Sequence, residues 1–194
     1  CKTLREALPE VSVVSLWEVL DTECPSLSFR EEACCGGVPT LSIHDPCSAR
    51  HDEAWLRSVR SLLSKRGVPF EEPRLSGETT PCCGYGGLTW DANPQLASAI
   101  AADRAGQLEH DAVTSCIMCR ERLVAEGKPS LHMLDLLYPG ESLHAAATAK
   151  GSGLSARRAG RAALRTEVLR RYAGESVAET ADDGIPVRIC LLYT

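Results

Sequence analysis

The residues in this chain best suited to chemistry are its cysteines. Ten of them lie at positions 1, 24, 34, 35, 47, 82, 83, 116, 119 and 190. Two stretches look alike: ACCGGVP at 33–39 and PCCGYGG at 81–87 each place glycine after a vicinal pair. A third feature is a Cys-x-x-Cys, Cys116-Ile-Met-Cys119. Read in order, Cys47 is followed after 34 residues by Cys82-Cys83, and after 32 more by Cys116 and Cys119. A Cys-x-x-Cys at a helix start brings two thiolates close to one metal, where the helix N-terminus favours negative charge. A tetrahedral zinc site normally uses two such chelating pairs. The second pair here is vicinal, and adjacent side chains on extended backbone point to opposite sides. Five thiolates also exceed zinc's four. Neighbouring metal ions use adjacent thiolates with less strain, so count and spacing favour a polynuclear iron–sulfur cluster over one zinc ion. Gly84, Gly86 and Gly87 would let backbone N–H groups approach its sulfurs.

Positioning such distant residues needs a scaffold. Residues 40–47 read as a short strand ending at Asp45-Pro46, Trp55, Leu56, Val59, Leu62 and Leu63 as one face of a helix over 49–65, and 68–75 as a short strand. Asn93-Pro94 opens a helix with Leu96, Ile100, Ala101, Ala105 and Leu108 on its inner face. Residues 111–115 read as a strand, 116–127 as a helix and 131–137 as a further short helix; near the start, 12–14 reads as a strand before a helix capped by Ser15. Alternation of strand and helix predicts an α/β fold, a small parallel sheet with flanking helices. Cys47, Cys82/Cys83 and Cys116 each follow a predicted strand, so they are expected at the carboxyl edge where open α/β sheets bind ligands.

Three segments are expected: 1–39, 40–140 and 141–194. Residues 1–20 parallel 119–137, with Cys1 in the part of Cys119, so 1–39 reads as the end of a preceding repeat and a linker, the chain being a piece of something longer. Residues 40–140 form one whole repeat. Residues 150–172 carry Lys150, Arg157, Arg158, Arg161, Arg165, Arg170 and Arg171 against Glu167, an amphipathic basic helix that is either a solvated face or a docking helix. An acidic then apolar tail, 174–194, ends in an expected strand. Net charge is −5, which leaves no overall electrostatic footprint for nucleic acid. No run reaches the ~18 apolar residues of a spanning helix.

The set HDPC at 44–47, CCGYGG at 82–87, CIMC at 116–119 and LHMLDLL at 131–137 resembles the CCG cysteine-rich domain of heterodisulfide reductase catalytic subunits and related Fe–S oxidoreductases. The resemblance covers about 40–140. It implies Cys47, Cys82, Cys83, Cys116 and Cys119 as ligands of a noncubane [4Fe–4S] cluster, which contacts substrate sulfur during one-electron steps of disulfide reduction. Some relatives hold a simpler cluster or zinc. It also implies a missing first repeat, an electron-donating ferredoxin-like or flavin subunit, a disulfide or thiol substrate, and a cytoplasmic location, with a peripheral place on a membrane complex as the variant. Neither a C-x2-C-x2-C run nor a G-x-G-x-x-G after a strand is present, so electrons must come from elsewhere.

Other candidates are weaker. Cys34-Cys35 lies in the linker, eleven residues before Cys47, with no counterpart in the repeat, and reads as incidental; Cys24 and Cys190 are not expected ligands. His44 and Asp45 either form the helix entry, or support the cluster and supply a proton to a leaving thiolate. His51, His110, His132 and His144 read as surface or packing residues. Tyr85 and Trp90 shield the cluster or pack in the core. Two other functions stay open: a zinc-stabilised structural or assembly module, and a metal-free thiol–disulfide exchanger using Cys116 and Cys119.

Overall fold

A computed structural model describes residues 6–23, 39–140 and 142–172. Cys1, Cys24, Cys34, Cys35 and Cys190, the expected linker over 24–38 and the expected strand in the tail lie outside the described residues. The sheet has four strands, β1 (Leu41–His44), β2 (Phe70–Glu71), β3 (Asp111–Thr114) and β4 (Ser130–His132), all parallel in the order β2-β1-β3-β4. Leu41 lies opposite Phe70 and Asp111, and His44 opposite Thr114, which in turn faces His132. The helices are α1 (Leu16–Glu23), α2 (Glu53–Lys65), α3 (Thr89–Ala92), α4 (Pro94–Gly106), α5 (Ile117–Ala125), α6 (Met133–Leu137) and α7 (Leu143–Thr148). The α/β class, with its parallel sheet and flanking helices, is as the sequence predicts.

The order of strands creates a switch point. From β1 the chain goes to β2 on one side, then crosses to β3 on the other. The crevice outside the carboxyl ends of β1 and β3 is therefore where a ligand site is expected.

Alternation along the strands divides the sheet into two unlike faces. Leu41, Ile43, Val113 and Leu131 join Trp17, Trp55, Val59, Leu62, Leu63 and Leu136 in the main apolar core. The intervening positions are Ser42, His44, Ala112, Thr114 and Ser130, all buried. They meet a smaller cluster, with Ala112 packed against Leu108 and Leu123. Ser42 Oγ donates to Glu71 and accepts from the His110 N–H at 2.9 Å, which satisfies a hydroxyl that burial would otherwise penalise. One face thus supplies apolar burial and the other carries polar side chains towards the carboxyl edge.

The helices begin where side chains cap them. Asp52 accepts from the Trp55 N–H at 3.1 Å and Asn93 from Leu96 at 3.0 Å, each satisfying a donor left over at a helix start. Ser15 and Glu18 form a reciprocal box before α1. His132 and Asp135 form the matching box before α6, at the offset the repeat predicts.

Several expectations are corrected. Among the described residues no strand forms at 12–14: Val11 and Val14 are exposed and no strand edge meets them, so β-branched residues alone do not make a strand. α2 starts at Glu53, not 49, because Asp52 is the cap and Cys47–Ala49 form a separate 3₁₀ turn. β2 is confined to Phe70–Glu71, so Cys82 and Cys83 lie on a long connection beyond it instead of directly after a strand. Ser130–His132 is a strand, which the sequence reading merged with the helix after it. Of the face expected for α4, Ala101 and the following Leu108 are buried and Leu96 is exposed, while the buried Ala97 and Arg104 were not on it. α7 packs on β4 with Ala147 in the main core.

The chain divides at Ala149–Lys150. The second unit, described by itself, is the basic helix α8 (Leu154–Tyr172), in which Arg170 and Arg171 donate to Glu167 at 2.8 and 2.7 Å. Among the described residues no helix is long and apolar enough to cross a membrane.

Candidate metal centre

Three elements deliver the thiols to the carboxyl edge. Cys47 opens the turn after β1. Cys116 is the N-cap of α5, and Cys119 lies in its first turn. The glycine loop carries Cys82 and Cys83 over the edge between them. Cys83, Cys116 and Cys119 pack together with Met118 against them. All five thiols are free; Cys47 is exposed and Cys82 half-buried.

The loop reaches the edge because Gly84 permits it. Its φ is +82°, and a Cβ there would lie 2.3 Å from the Ala97 carbonyl oxygen. Only glycine accepts both the left-handed backbone and that approach. Ala97 is fully buried, so the small-residue stripe of α4 and the glycine of the loop fit one another. The Gly84 N–H donates to Cys82 Sγ at 3.3 Å.

Electrostatics differ sharply among the thiols. Cys83 is pushed down to about 4, by the hydrogen bond from Cys119 first, then by His44 and the Tyr85 N–H, against burial. Cys116 is lowered by the hydrogen bond from Cys119 and by the backbone N–H groups of Cys119 and Met118, which point out of the start of α5. Cys119 is raised well above its usual range, because it donates to both neighbours and is buried. The Cys47 thiol, on a residue with an exposed surface, is raised by partial burial of its sulfur and by the Cys82, Cys83 and Cys116 thiols. The cluster thus favours the thiolate form at Cys83 and Cys116 and the protonated form at Cys119.

His44 also joins the cluster. One of its imidazole nitrogens and the Sγ atoms of Cys83 and Cys119 lie within 4.8 Å of one another, and all three residues are buried. Its Nδ1 accepts from Arg104 Nε at 3.0 Å. Its buried Nε2 has no hydrogen-bond partner, and with Nδ1 taken by Arg104 it is the ring nitrogen left for the neighbouring Cys83 and Cys119 sulfurs.

Asp45 turns the other way. Its two oxygens accept from Arg60 at 3.0 and 2.8 Å, and Oδ2 also accepts from the Gly77 N–H at 2.7 Å. Arg60 in turn donates to Glu72, and these carboxylates raise its pKa against its burial. Asp45 thus ties the end of β1 to α2 and to the long connection after β2.

The remaining candidates separate. Tyr85 and Trp90 are largely exposed, which rules out core packing; Trp90 stacks on the Arg122 guanidinium at 4.0 Å. His132 caps α6, and His51 is an exposed neighbour of Glu78. The residue that sequence reasoning missed is Arg104. Its signal was its register: it follows Ala97 and Ala101 at intervals of four and three, on the small-residue stripe of α4.

A family model, CCG, described as a cysteine-rich domain, matches residues 41–123. That span runs from β1 into α5 and contains all five clustered cysteines. Neither a search of curated proteins nor a search of solved structures found a match. Free thiols packed together at the switch point, within the span similar to that cysteine-rich family, are chemically suited to metal binding or redox work.

Proposed function

Starting from a cysteine-rich domain whose thiols meet at one sheet edge, we propose that the chain is an iron–sulfur redox module of the heterodisulfide-reductase type. The single observation behind this reading is the packing of Cys83 from the glycine loop against Cys116 and Cys119 at the start of α5, to which we add Cys47 and Cys82, both free thiols. Five sulfurs suit a polynuclear centre better than a single tetrahedral ion. Such a cluster, when bound, would supply electrons one at a time. The chain's own part is to hold it: the thiolates of Cys83 and Cys116 are already favoured by neighbouring N–H groups, and Gly84 lets the loop close over the edge. Cys47 lies on the exposed side, where a substrate sulfur can approach. Reduction of a disulfide consumes two electrons and two protons and releases two thiols. A ferredoxin-like or flavin-bearing partner would supply the electrons.

A second reading has its own observation. His44, Cys83 and Cys119 are close enough to share one ion, and with Cys116 they would make a Cys3His zinc site of structural type.

Anaerobic purification with counts of iron, sulfide and zinc separates the two. Brown protein with about four irons per chain is expected. One zinc without colour overturns the cluster in favour of the second reading. Fully folded, metal-free protein after anaerobic reconstitution overturns both and leaves thiol–disulfide exchange at Cys116 and Cys119.

A further inference from the structure

Arg104 is the most unusual side chain in the fold. It is a guanidinium with 0% exposure and no carboxylate within ion-pair distance among the described residues. Burial draws its pKa down, and the more distant charges of Asp45, Asp103 and Cys119 oppose this. A buried cation without a paired anion costs several kcal/mol. What it gains is four hydrogen bonds. Nη1 donates to the Leu75 carbonyl at 3.1 Å and to Gln107 Oε1 at 3.2 Å. Nη2 donates to the Ile43 carbonyl at 3.4 Å, and Nε donates to His44 Nδ1 at 3.0 Å.

The last of these bonds has a chemical consequence. A guanidinium has N–H donors and no acceptor. For Nδ1 to accept from it, Nδ1 must keep its lone pair, and the neutral imidazole then carries its proton on Nε2. Nε2 is the nitrogen left to the sulfurs. A histidine that binds metal through Nε2 has the opposite arrangement: its Nδ1–H donates to an acceptor behind it. Here a donor stands behind it.

We propose that Arg104 is a positioning residue that holds His44 as an Nε2–H donor to the Cys83 and Cys119 sulfurs, so that His44 is their hydrogen-bond partner and not a metal ligand. The inference rests on the thiol site of the proposed function, and it excludes the Cys3His zinc site of the second reading. It assigns the buried Nε2 its acceptor, and it explains why an uncompensated arginine is kept inside the domain. A hydrogen bond to a ligand sulfur raises the potential of an iron–sulfur centre, so the same pair would tune a cluster.

The test is a long-range 1H–15N imidazole correlation on the reduced, 15N-labelled full chain, before and after addition of zinc alone, with His44→Gln used to assign the signal. The expected pattern is protonated Nε2 with unprotonated Nδ1, unchanged by zinc. Arg104→Met is expected to lose that pattern, giving a mixture of tautomers, and Arg104→Lys, which retains one N–H donor, to restore it. A purely structural role for Arg104 would alter stability without moving the tautomer. A protonated Nδ1 in the native chain, or an Nε2 resonance shifted to the metal-bound position on zinc addition, overturns the proposal. Should Arg104→Met fail to fold, the native and Arg104→Lys spectra decide it. Loss of iron binding with the Nε2–H pattern intact would count against the cluster alone.

Discussion

Replacing the glycines of the site loop one at a time should separate backbone conformation from close packing. Gly84, Gly86 and Gly87 lie within four residues but have different surroundings. Gly86 has an ordinary φ and nothing within 4 Å of an added Cβ. Gly87 has φ +64° and only Thr89 Oγ1 at 3.9 Å. Gly84 has φ +82° and the Ala97 carbonyl oxygen at 2.3 Å, with the Ala97 carbonyl carbon and Cα at 3.2 and 3.3 Å. The left-handed conformation costs an alanine about 1–2 kcal/mol. Clearing the overlap requires the loop or α4 to move by about 1 Å, and overpacking of that kind adds roughly 1–3 kcal/mol. Gly86→Ala is therefore expected to be neutral within about 0.5 kcal/mol, and Gly87→Ala to cost about 1–2 kcal/mol. Gly84→Ala should cost about 3 kcal/mol, which at roughly 2–4 °C per kcal/mol is a fall of about 6–12 °C in Tm. Thermal unfolding of the reduced chain by circular dichroism reads all three. Because the obstacle is backbone, Ala97→Gly should not rescue Gly84→Ala. A Gly84→Ala variant no less stable than Gly87→Ala would refute the close approach of loop and helix, and rescue by Ala97→Gly would refute its backbone origin.

Asp45→Ala leaves Arg60 without its buried partner, whose side chain is 2% exposed; a loss of about 2–4 kcal/mol is expected in urea unfolding, against almost none for the exposed Glu78→Ala. Burial lowers the pKa of His132, with Asp135 opposing it. The unfolded state therefore binds more protons, and stability should fall as pH drops below about 6.5, with His132→Asn flattening that dependence in Tm measured from pH 8 to 5. Leu88 holds φ +58° and is 73% exposed, so Leu88→Asn should raise stability by about 0.5–1 kcal/mol; a destabilised variant would show that the leucine makes contacts that outweigh its backbone.

Much of this organisation was legible in the residues because it obeys local rules. Asn93 and Pro94 announce α4, and the alternation of Leu41 and Ile43 with Ser42 and His44 marks a strand with two unlike faces. The order of Cys47, Cys82/Cys83, Cys116 and Cys119 pointed to one edge, and Cys83, Cys116 and Cys119 pack together there. What was not legible depends on tertiary context. Val11 and Val14 have strand propensity but are exposed, and no strand forms there among the described residues. Three residues suffice for β4 because β3 supplies its hydrogen bonds, and no periodicity is visible over so short a span. Ala97 and Arg104 were missed on the buried side of α4 because leucine normally outranks alanine and arginine for burial. Here the glycine loop needs a thin helix surface, so the alanines go inward and Leu96 stays outside.

That inversion also explains how the site can exist at the edge of so small a sheet. A helix lined with leucine would hold the loop away from β1 and β3, and the thiols of Cys83 and Cys119 would not reach each other. Alanine at 97 and 101 lets α4 approach the glycine loop, and it leaves little side-chain volume to fill the space under β1. Arg104, one turn further along the same stripe, fills it. Its long stem supplies the packing that the alanines lack, and its head brings donors to Ile43, Leu75 and His44. Stability on this face is therefore bound to the site, whereas the opposite face draws its stability from Trp17, Trp55, Leu62 and Leu63. Substitutions in that apolar core should lower Tm while leaving the His44 tautomer unchanged, and those at Arg104 should alter both. A core variant such as Val59→Ala that shifted the tautomer as Arg104→Met does would mean that the two faces are not separable.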